Sequence, residues 1–590
     1  MADGRSMAVV LEPASNVTLP ADAHISYTVD EEVEMPSEIL TKYIEELEYL
    51  LPVPKKLGYF FRGWYKEPEC INRVRKIDLT SKEDLNLYPL WVKKTRKNAL
   101  VSFLGDSITT YEGIIPEGFP TYYPAGDVDS IDKTWWNIAL KASMTNLLAN
   151  NSYSGSYVSQ GTMYGASEKR IELLSKDGVD PDVIVINTCC FINDAKEESI
   201  NTILEMAEYK TSGSCKALIV TGCLAQRYRQ EIIDEIPEVD AVLGTTSFDH
   251  ICEAVDEALK GQNLMQFDDL QKLVKSDNHR ILTTGGHYAH LKIAEGCDKH
   301  CTYCIIPKIR GTYRSVPMEE LVEEAKYLVS QGVKELILVA QETTLYGVDL
   351  YGEKSLHKLL KELCKISGLY WIRIQYCYPE EIYDELIQTI AEEPKICHYL
   401  DLPIQHCNDG ILKRMGRKTN KQQLIDKIEQ LRAAIPDIAL RTTLIAGFPG
   451  ETAEAHEEMM QFVNDMEFDR LGCFAYSAEE DTPAATFADQ VPQELKEVWR
   501  DDIMELQSEV CADLAEDMIG RELYVMVEGK VADEPAYIGR TYKDAPGVDG
   551  YIFIQTGEAL MSGDFVKVKV TGAIDYDLIG EIADADEFTK

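Results

Sequence analysis

The rhythm of apolar positions changes three times along the chain. From His24 to about Lys94, aromatic and polar residues alternate between turn signals, as in L-G-Y-F-F-R-G-W-Y-K and L-N-L-Y-P-L-W-V-K-K. A period of two predicts short strands with one buried face. From Asn98 to about residue 515, compact apolar runs such as A-L-V-S-F, D-V-I-V-I, A-L-I-V-T and E-L-I-L-V alternate with longer helical segments. That alternation predicts βα units on parallel sheets. From about Ile519 to Ile582 the helical segments stop, and L-Y-V-M-V-E-G-K, A-Y-I-G-R, Y-I-F-I-Q and D-F-V-K-V-K-V predict a small all-β unit. The predicted fold class is α/β, with a β-rich module at each end. The first 23 residues read as a tail.

Composition narrows the classes. A chain of 590 residues suggests about four domains. No run of 18 apolar residues is present, so no transmembrane helix is expected. The N-terminus lacks a basic segment followed by a long apolar one, so no signal peptide is readable and a cytoplasmic protein is expected. Fifteen cysteines, an odd count with many inside apolar runs, point to free thiols and a metal cluster in a reducing compartment. The net charge of −41 argues against a nucleic-acid partner, because such binders usually present a basic face. It suits a basic protein partner, whose encounter it would accelerate, and it equally suits simple solubility.

The chemistry concentrates at Ile293 to Pro307, I-A-E-G-C-D-K-H-C-T-Y-C-I-I-P. Cys297, Cys301 and Cys304 stand in a C-x3-C-x2-C spacing. Three thiolates on one loop can hold three irons of a [4Fe–4S] cluster and leave the fourth open to a small molecule. A structural zinc loop is the alternative, with His300 as the fourth ligand that a closed zinc site needs. With Tyr303 before the last cysteine and the strand-like L-K-I-A-E-G ahead, the stretch resembles the signature of radical S-adenosylmethionine (SAM) enzymes. The resemblance implies that the open iron binds the amino and carboxylate groups of SAM and cleaves it reductively to a 5′-deoxyadenosyl radical.

Two further cysteines fall just past strand ends, Cys189 in N-T-C-C-F and Cys223 in T-G-C-L-A-Q-R. The carboxyl edge of an open α/β sheet is where ligands bind, although buried thiols are common there too. In this context they resemble the radical SAM methylthiotransferases, from Asp182 to the C-terminus, and the RimO-type branch most. That family methylthiolates an aspartate of small-subunit ribosomal protein S-twelve with two [4Fe–4S] clusters. The second, auxiliary cluster carries the sulfur and is normally held by three strand-end cysteines. Cys189 and Cys223 match two of them. The third, in the family's L-G-C-x-K-N, is absent.

The front third reads differently. Gly63-Trp64-Tyr65 and Leu87-Tyr88-Pro89-Leu90-Trp91 resemble a β-grasp-like bacterial surface repeat. F-L-G-D-S-I-T and N-S-Y-S-G-S are similar to the first two blocks of SGNH (GDSL-type) esterases, which implies Ser107 as nucleophile and Gly155 at the oxyanion. None of the ten histidines has Asp three residues before it, so the catalytic base of that family is missing. Leu104-Gly105-Asp106 overlays the methylthiotransferase L-G-C, which makes Asp106 a candidate third auxiliary ligand in a hybrid sheet.

By resemblance, the barrel is a partial (βα)6 radical SAM barrel. Gln341, Arg441 and the Gly447-Phe448-Pro449-Gly450-Glu451 turn lie near SAM, and Asp401 and Gln405 at the mouth. The last domain resembles the small TRAM β-barrel. From Arg521 to Glu581 it carries 6 basic and 11 acidic residues, which suits a basic ribosomal protein better than RNA. The alternatives are a tRNA adenosine methylthiotransferase and a hybrid with a vestigial esterase or surface module. The implied electron donor is a flavodoxin or ferredoxin. The expected domains are a tail at 1–23, the repeat at 24–94, the hydrolase-like fragment at 96–181, the methylthiotransferase N-terminal domain at 182–282, the radical SAM barrel at 283–515 and the TRAM domain at 519–582.

Overall fold

A computed structural model of the chain describes residues 181–273, 286–531 and 534–583 continuously, and upstream of them a set of short strands and one turn between residues 7 and 150. The chain divides into two compact units, one of residues 1–190 with 196–268 and one of 191–195 with 269–590.

In the first unit, five strands form a mixed sheet in the order Met7–Val10, Ile25–Val29, Leu85–Lys93, Tyr59–Tyr65, Arg73–Val74. Trp64 and Leu87 are buried in it, as their alternating pattern predicts. The expected tail is corrected at one place. The apolar M-A-V-V of Met7–Val10 is a strand, antiparallel to Ile25–Val29.

A second sheet is parallel, β1 (Val183–Thr188), β2 (Ala217–Gly222), β3 (Ala241–Leu243) and β4 (Leu264–Gln266) in sequential order. Helices α1 (Asn193–Thr211), α2 (Cys223–Tyr228) and α3 (Ile251–Leu259) connect or flank these strands. The expected hybrid sheet is not formed among the described residues. Leu100–Phe103 pairs in parallel with Asn146–Asn150, and these two strands make a sheet of their own. Among the described residues β1 is an edge strand, with alternate side chains exposed, Val185 by 46%.

In the second unit, six parallel strands form the partial barrel, β5 (Tyr288–Lys292), β6 (Glu335–Val339), β7 (Trp371–Ile374), β8 (Ile396–Gln405), β9 (Ala439–Ala446) and β10 (Arg470–Ala475), again in sequential order. Helices α4 (Met318–Ser330), α5 (Leu356–Cys364), α6 (Asp384–Glu392), α7 (Asp409–Arg414), α8 (Lys421–Ala434), α9 (Ala453–Met466) and α10 (Gln493–Glu516) fall in the connections and after β10. Leu291, Leu336, Ile372, Leu400 and Leu440 share one core between strands and helices. Burial on both faces explains why these strands read as continuous apolar runs.

The C-terminal strands β11 (Glu522–Lys530), β12 (Ala536–Arg540), β13 (Ile552–Gln555), β14 (Phe565–Ile574) and β15 (Asp577–Ile582) close into a small barrel. It docks on the N-terminal ends of the large barrel's strands. Trp371, the first residue of β7, and Ala439, the first of β9, share a core with Met526 and Phe565. Charge locks the joint. Glu335, the first residue of β6, accepts from Arg373 Nε at 2.8 Å and from Arg540 Nη2 at 2.7 Å, and all three side chains are fully buried. Arg540 Nε also donates to Glu528 at 2.6 Å, and His287 Nε2 lies 3.0 Å from the other Glu528 oxygen. Arg470, the first residue of β10, pairs with Asp544 at 2.5 Å.

Removing one member of a buried ion pair leaves a charge uncompensated and costs about 3–5 kcal/mol. Glu335→Gln is therefore expected to lower the urea-unfolding free energy of this unit by that order, while Glu362→Gln in the exposed Lys365–Glu362 pair leaves it unchanged. Acid acts on the same joint. Burial alone would raise Glu528, but Arg540 and His287 outweigh it and hold the carboxyl at about 2. Glu335 is likewise held below its ordinary value by Arg540 and Arg373 against the effect of burial. A depressed carboxyl stabilises the fold above its unfolded pKa of about 4.3 and loses that contribution as pH falls toward its folded value. The Glu528 contribution, read as the difference in urea-unfolding free energy between the native chain and Glu528→Gln, should thus be level between pH 7 and 5 and shrink between pH 4 and 2.

Candidate metal centre

The loop after β5 carries Cys297, Cys301 and Cys304, and backbone geometry decides its shape. Gly296 has φ +81°, and a Cβ there would lie 2.1 Å from the Thr312 carbonyl oxygen, so only glycine fits. The amide of Gly296 donates to Gln341 Oε1 at 2.8 Å, and that of Cys297 to the Gly311 carbonyl at 3.1 Å. Further along, Cys304 N donates to Cys301 O at 3.1 Å, and Asp298 Oδ1 accepts from Tyr313 N at 3.0 Å. Thr302 N donates to Met415 O at 2.9 Å.

Cys297 and Cys301 are buried and Cys304 is half-buried. Burial pushes the Cys297 thiol up to about 11 and the Cys304 thiol up to about 12. Metal ligation must therefore displace protons from these thiols. Around them stand buried polar atoms with no partner in the protein: Glu342 Oε2, Tyr313 Oη, and Arg417 Nε and Nη1. Burial raises Glu342 to about 7, although Thr344 donates to it from both backbone and side chain. Three thiols on one loop, ringed by unpartnered polar groups, fit an iron–sulfur cluster with a polar ligand on its open iron.

The other expected residues fall in different places. Gln341, just beyond β6, holds the cysteine loop through Gly296. Arg441 is held by two carboxylates. It donates to Asp401 Oδ1 at 3.0 Å and lies 3.3 Å from Asp549 of the small barrel. The Gly447–Glu451 turn has its amides bonded within the protein. Glu451 Oε2 accepts from Gly447 N at 2.7 Å and Phe448 N at 3.0 Å, Gly450 N donates to Asp489 O at 2.8 Å, and Glu451 N to Phe448 O at 2.8 Å. Pro449, which has no amide hydrogen, accepts from Arg414 Nε at 3.0 Å. The turn meets the cysteine loop through Phe448, edge-on to Tyr303 at 6.5 Å. Asp401 is buried and accepts from Tyr376 N at 3.1 Å. Tyr376 and Gln405 hold φ of +59° and +70° at the C-terminal ends of β7 and β8. Left-handed non-glycine backbone is costly and collects at functional sites. Sequence reading missed Glu342, Tyr313, Tyr378 and Arg417. For Glu342 alone there was a signal, a polar residue directly after Gln341 at a barrel strand's end.

In the first unit, Thr188 and Gly222 are register partners, so Cys189 and Cys223 follow adjacent strand ends. Ser199 Oγ pins Cys189 through its backbone N and O, both at 3.0 Å. Cys189 is exposed and Cys190 fully buried, the alternation expected at a strand end. Burial first, and Cys223 second, push the Cys190 thiol up to about 11. Asp106, Ser107 and Gly155 lie outside the described residues.

Three family models match the chain: the Radical SAM superfamily at residues 291–463, the TRAM domain at 519–583 and the uncharacterized protein family UPF0004 at 157–244. Over 423 residues, covering 72% of this chain and 96% of the relative, it is 62% identical to the ribosomal protein uS12 methylthiotransferase RimO of Lachnoclostridium phytofermentans. The chain belongs to the RimO family. The RimO of Clostridium perfringens is 49% identical over 421 residues, 71% of this chain and 94% of that one. The radical SAM methyltransferase TsrM of Kitasatospora setae, at 12% identity, aligns with a TM-score of 0.41 over 64% of this chain and 73% of its own. The UPF0004 match opens at residue 157, inside the stretch assigned to the hydrolase fragment and ahead of Asp182, where the RimO resemblance was expected to start. The SGNH resemblance gains no support from these matches.

Two outcomes test the metal loop. Cys301→Ala should abolish SAM cleavage and remove one cluster's complement of iron and sulfide from the reconstituted RimO chain. Gly296→Ala should do the same with all three cysteines intact, because its Cβ forces the loop off the Thr312 carbonyl.

Proposed function

We propose that this chain methylthiolates the β-carbon of an aspartate in ribosomal protein uS12, as its relatives' name implies for uS12, using two [4Fe–4S] clusters and SAM. The observation that carries the reading is the 62% identity to a RimO along nearly the whole of that relative, together with the pinned three-cysteine loop. Cys297, Cys301 and Cys304 hold the first cluster. When bound, cluster and SAM supply the radical chemistry that an unactivated C–H bond requires, since such a bond offers no acidic proton to a base. The chain's own residues shape the surroundings. Gln341 fixes the loop through Gly296, Phe448 packs on Tyr303, and Glu342 offers an unpartnered oxygen beside Cys297.

Cys189 and Cys223 contribute two ligands of the auxiliary cluster, and Asp106 is the third-ligand candidate. A flavodoxin or ferredoxin supplies the electron, in the cytoplasm. No described helix is long and apolar enough to cross a membrane. The acidic C-terminal barrel, with 11 carboxylates against 6 cations, supports a basic protein substrate over tRNA.

Anaerobic reconstitution with iron and sulfide, followed by mass spectrometry of recombinant uS12, tests the reading. The expected gain is one methylthio group on an aspartate. Cys189→Ala with Cys223→Ala should leave SAM cleavage running and abolish methylthiolation. Modification of tRNA in place of uS12 would refute the substrate.

A further inference from the structure

Arg417 lies beside the cysteine loop and is not fully paired. The segment after α7 presses on that loop. Gly416, at φ +76°, has no room for a side chain, because a Cβ there would lie 2.9 Å from the His300 carbonyl oxygen and 3.7 Å from Cys301 Cα. Thr302 fastens the contact from the other side, N to Met415 O at 2.9 Å and Oγ1 to Arg414 O at 2.8 Å. Arg417 therefore leaves the backbone directly against the loop.

Its side chain is 1% exposed. The guanidinium lies over the ring of Tyr378, 4.3 Å from the centroid, and Tyr378 Oη is 3.7 Å from Cys301 Sγ. Nη2 donates to Glu380 at 3.1 Å. Nε and Nη1 are buried with no acceptor in the protein. Three N–H bonds of a buried cation are thus unmatched, a costly arrangement unless something else accepts them. The loop's own cation differs, since Lys299 is spoken for by Glu381.

We propose that Arg417 donates hydrogen bonds to the cluster held by Cys297, Cys301 and Cys304 and sets its reduction potential. The inference rests on the proposed cluster at that loop. Thiolates and sulfides are acceptors, and the potential of such a cluster follows its net charge, hydrogen bonds to sulfur and solvent exposure. Reduction adds one electron and one negative charge. A buried cation stabilises the reduced form more than the oxidised form, so Arg417 makes the cluster easier to reduce. Glu380, its counter-charge, acts in the opposite direction. Arg417 is a positioning and tuning residue: it acts on the potential and not on the substrate.

The test is an anaerobic redox titration with dithionite as the one-electron donor, read by the EPR signal of the reduced cluster. It uses full-length chain without SAM, in a Cys189→Ala/Cys223→Ala background, so that only the loop's cluster contributes. Arg417→Met is expected to lower the reduced-to-oxidised ratio at a fixed potential about tenfold, which is about 59 mV for one electron. Arg417→Lys should recover part of the shift. Glu380→Gln should move the ratio the other way, and this sign decides the matter if Arg417→Met fails to hold iron. Unchanged potentials in cluster-replete variants would overturn the inference, as would weakened SAM binding with no shift in potential. If the background protein shows no EPR signal that Cys301→Ala removes, the cluster assignment itself fails, and the two failures are distinguishable.

Discussion

A carboxylate buried between two guanidinium groups holds the C-terminal half together. Glu335 opens the second strand of the large barrel, and Arg540 closes the second strand of the small one, 205 residues later. Arg373 completes the triad from the neighbouring barrel strand. Each charge would be intolerable alone at that depth, so all three must be in place together. The small barrel is thereby fixed on the large one in a single register, and Arg470 with Asp544 repeats the device at the far strand.

With that end closed, the chemistry sits at the other. The cysteine loop follows the C-terminal end of the first barrel strand and is shaped by amides rather than by side-chain packing. Gly296, Gly416 and the Thr302 contacts leave the loop one path. The neighbouring strand ends carry the left-handed Tyr376 and Gln405. Rigidity comes from the barrel, and the unpartnered polar atoms of Glu342, Tyr313 and Arg417 gather about the thiols it positions.

Much of this could be read from residue order. The βα alternation from Val183 onward, the three-cysteine spacing and the terminal run of short strands are local signals, and each appears in the structure where its pattern stands. Arg417 could not be read, because it reaches Cys301 across 116 residues through a glycine contact that no local pattern encodes. Nor does the order G-F-P-G-E disclose that its own glutamate folds back onto the turn's amides. Nor could the order of residues show that Asp401 and Asp549 hold Arg441 from two other elements. The expected hybrid sheet is not formed among the described residues, where β1 stands at an edge. Met7–Val10 was too short a run to be told from a tail.

The docking of the small barrel on the N-terminal strand ends has a directional consequence. It is a stopper as much as a domain. Traffic along the axis of the large barrel is confined to one mouth, the one that bears the cysteines.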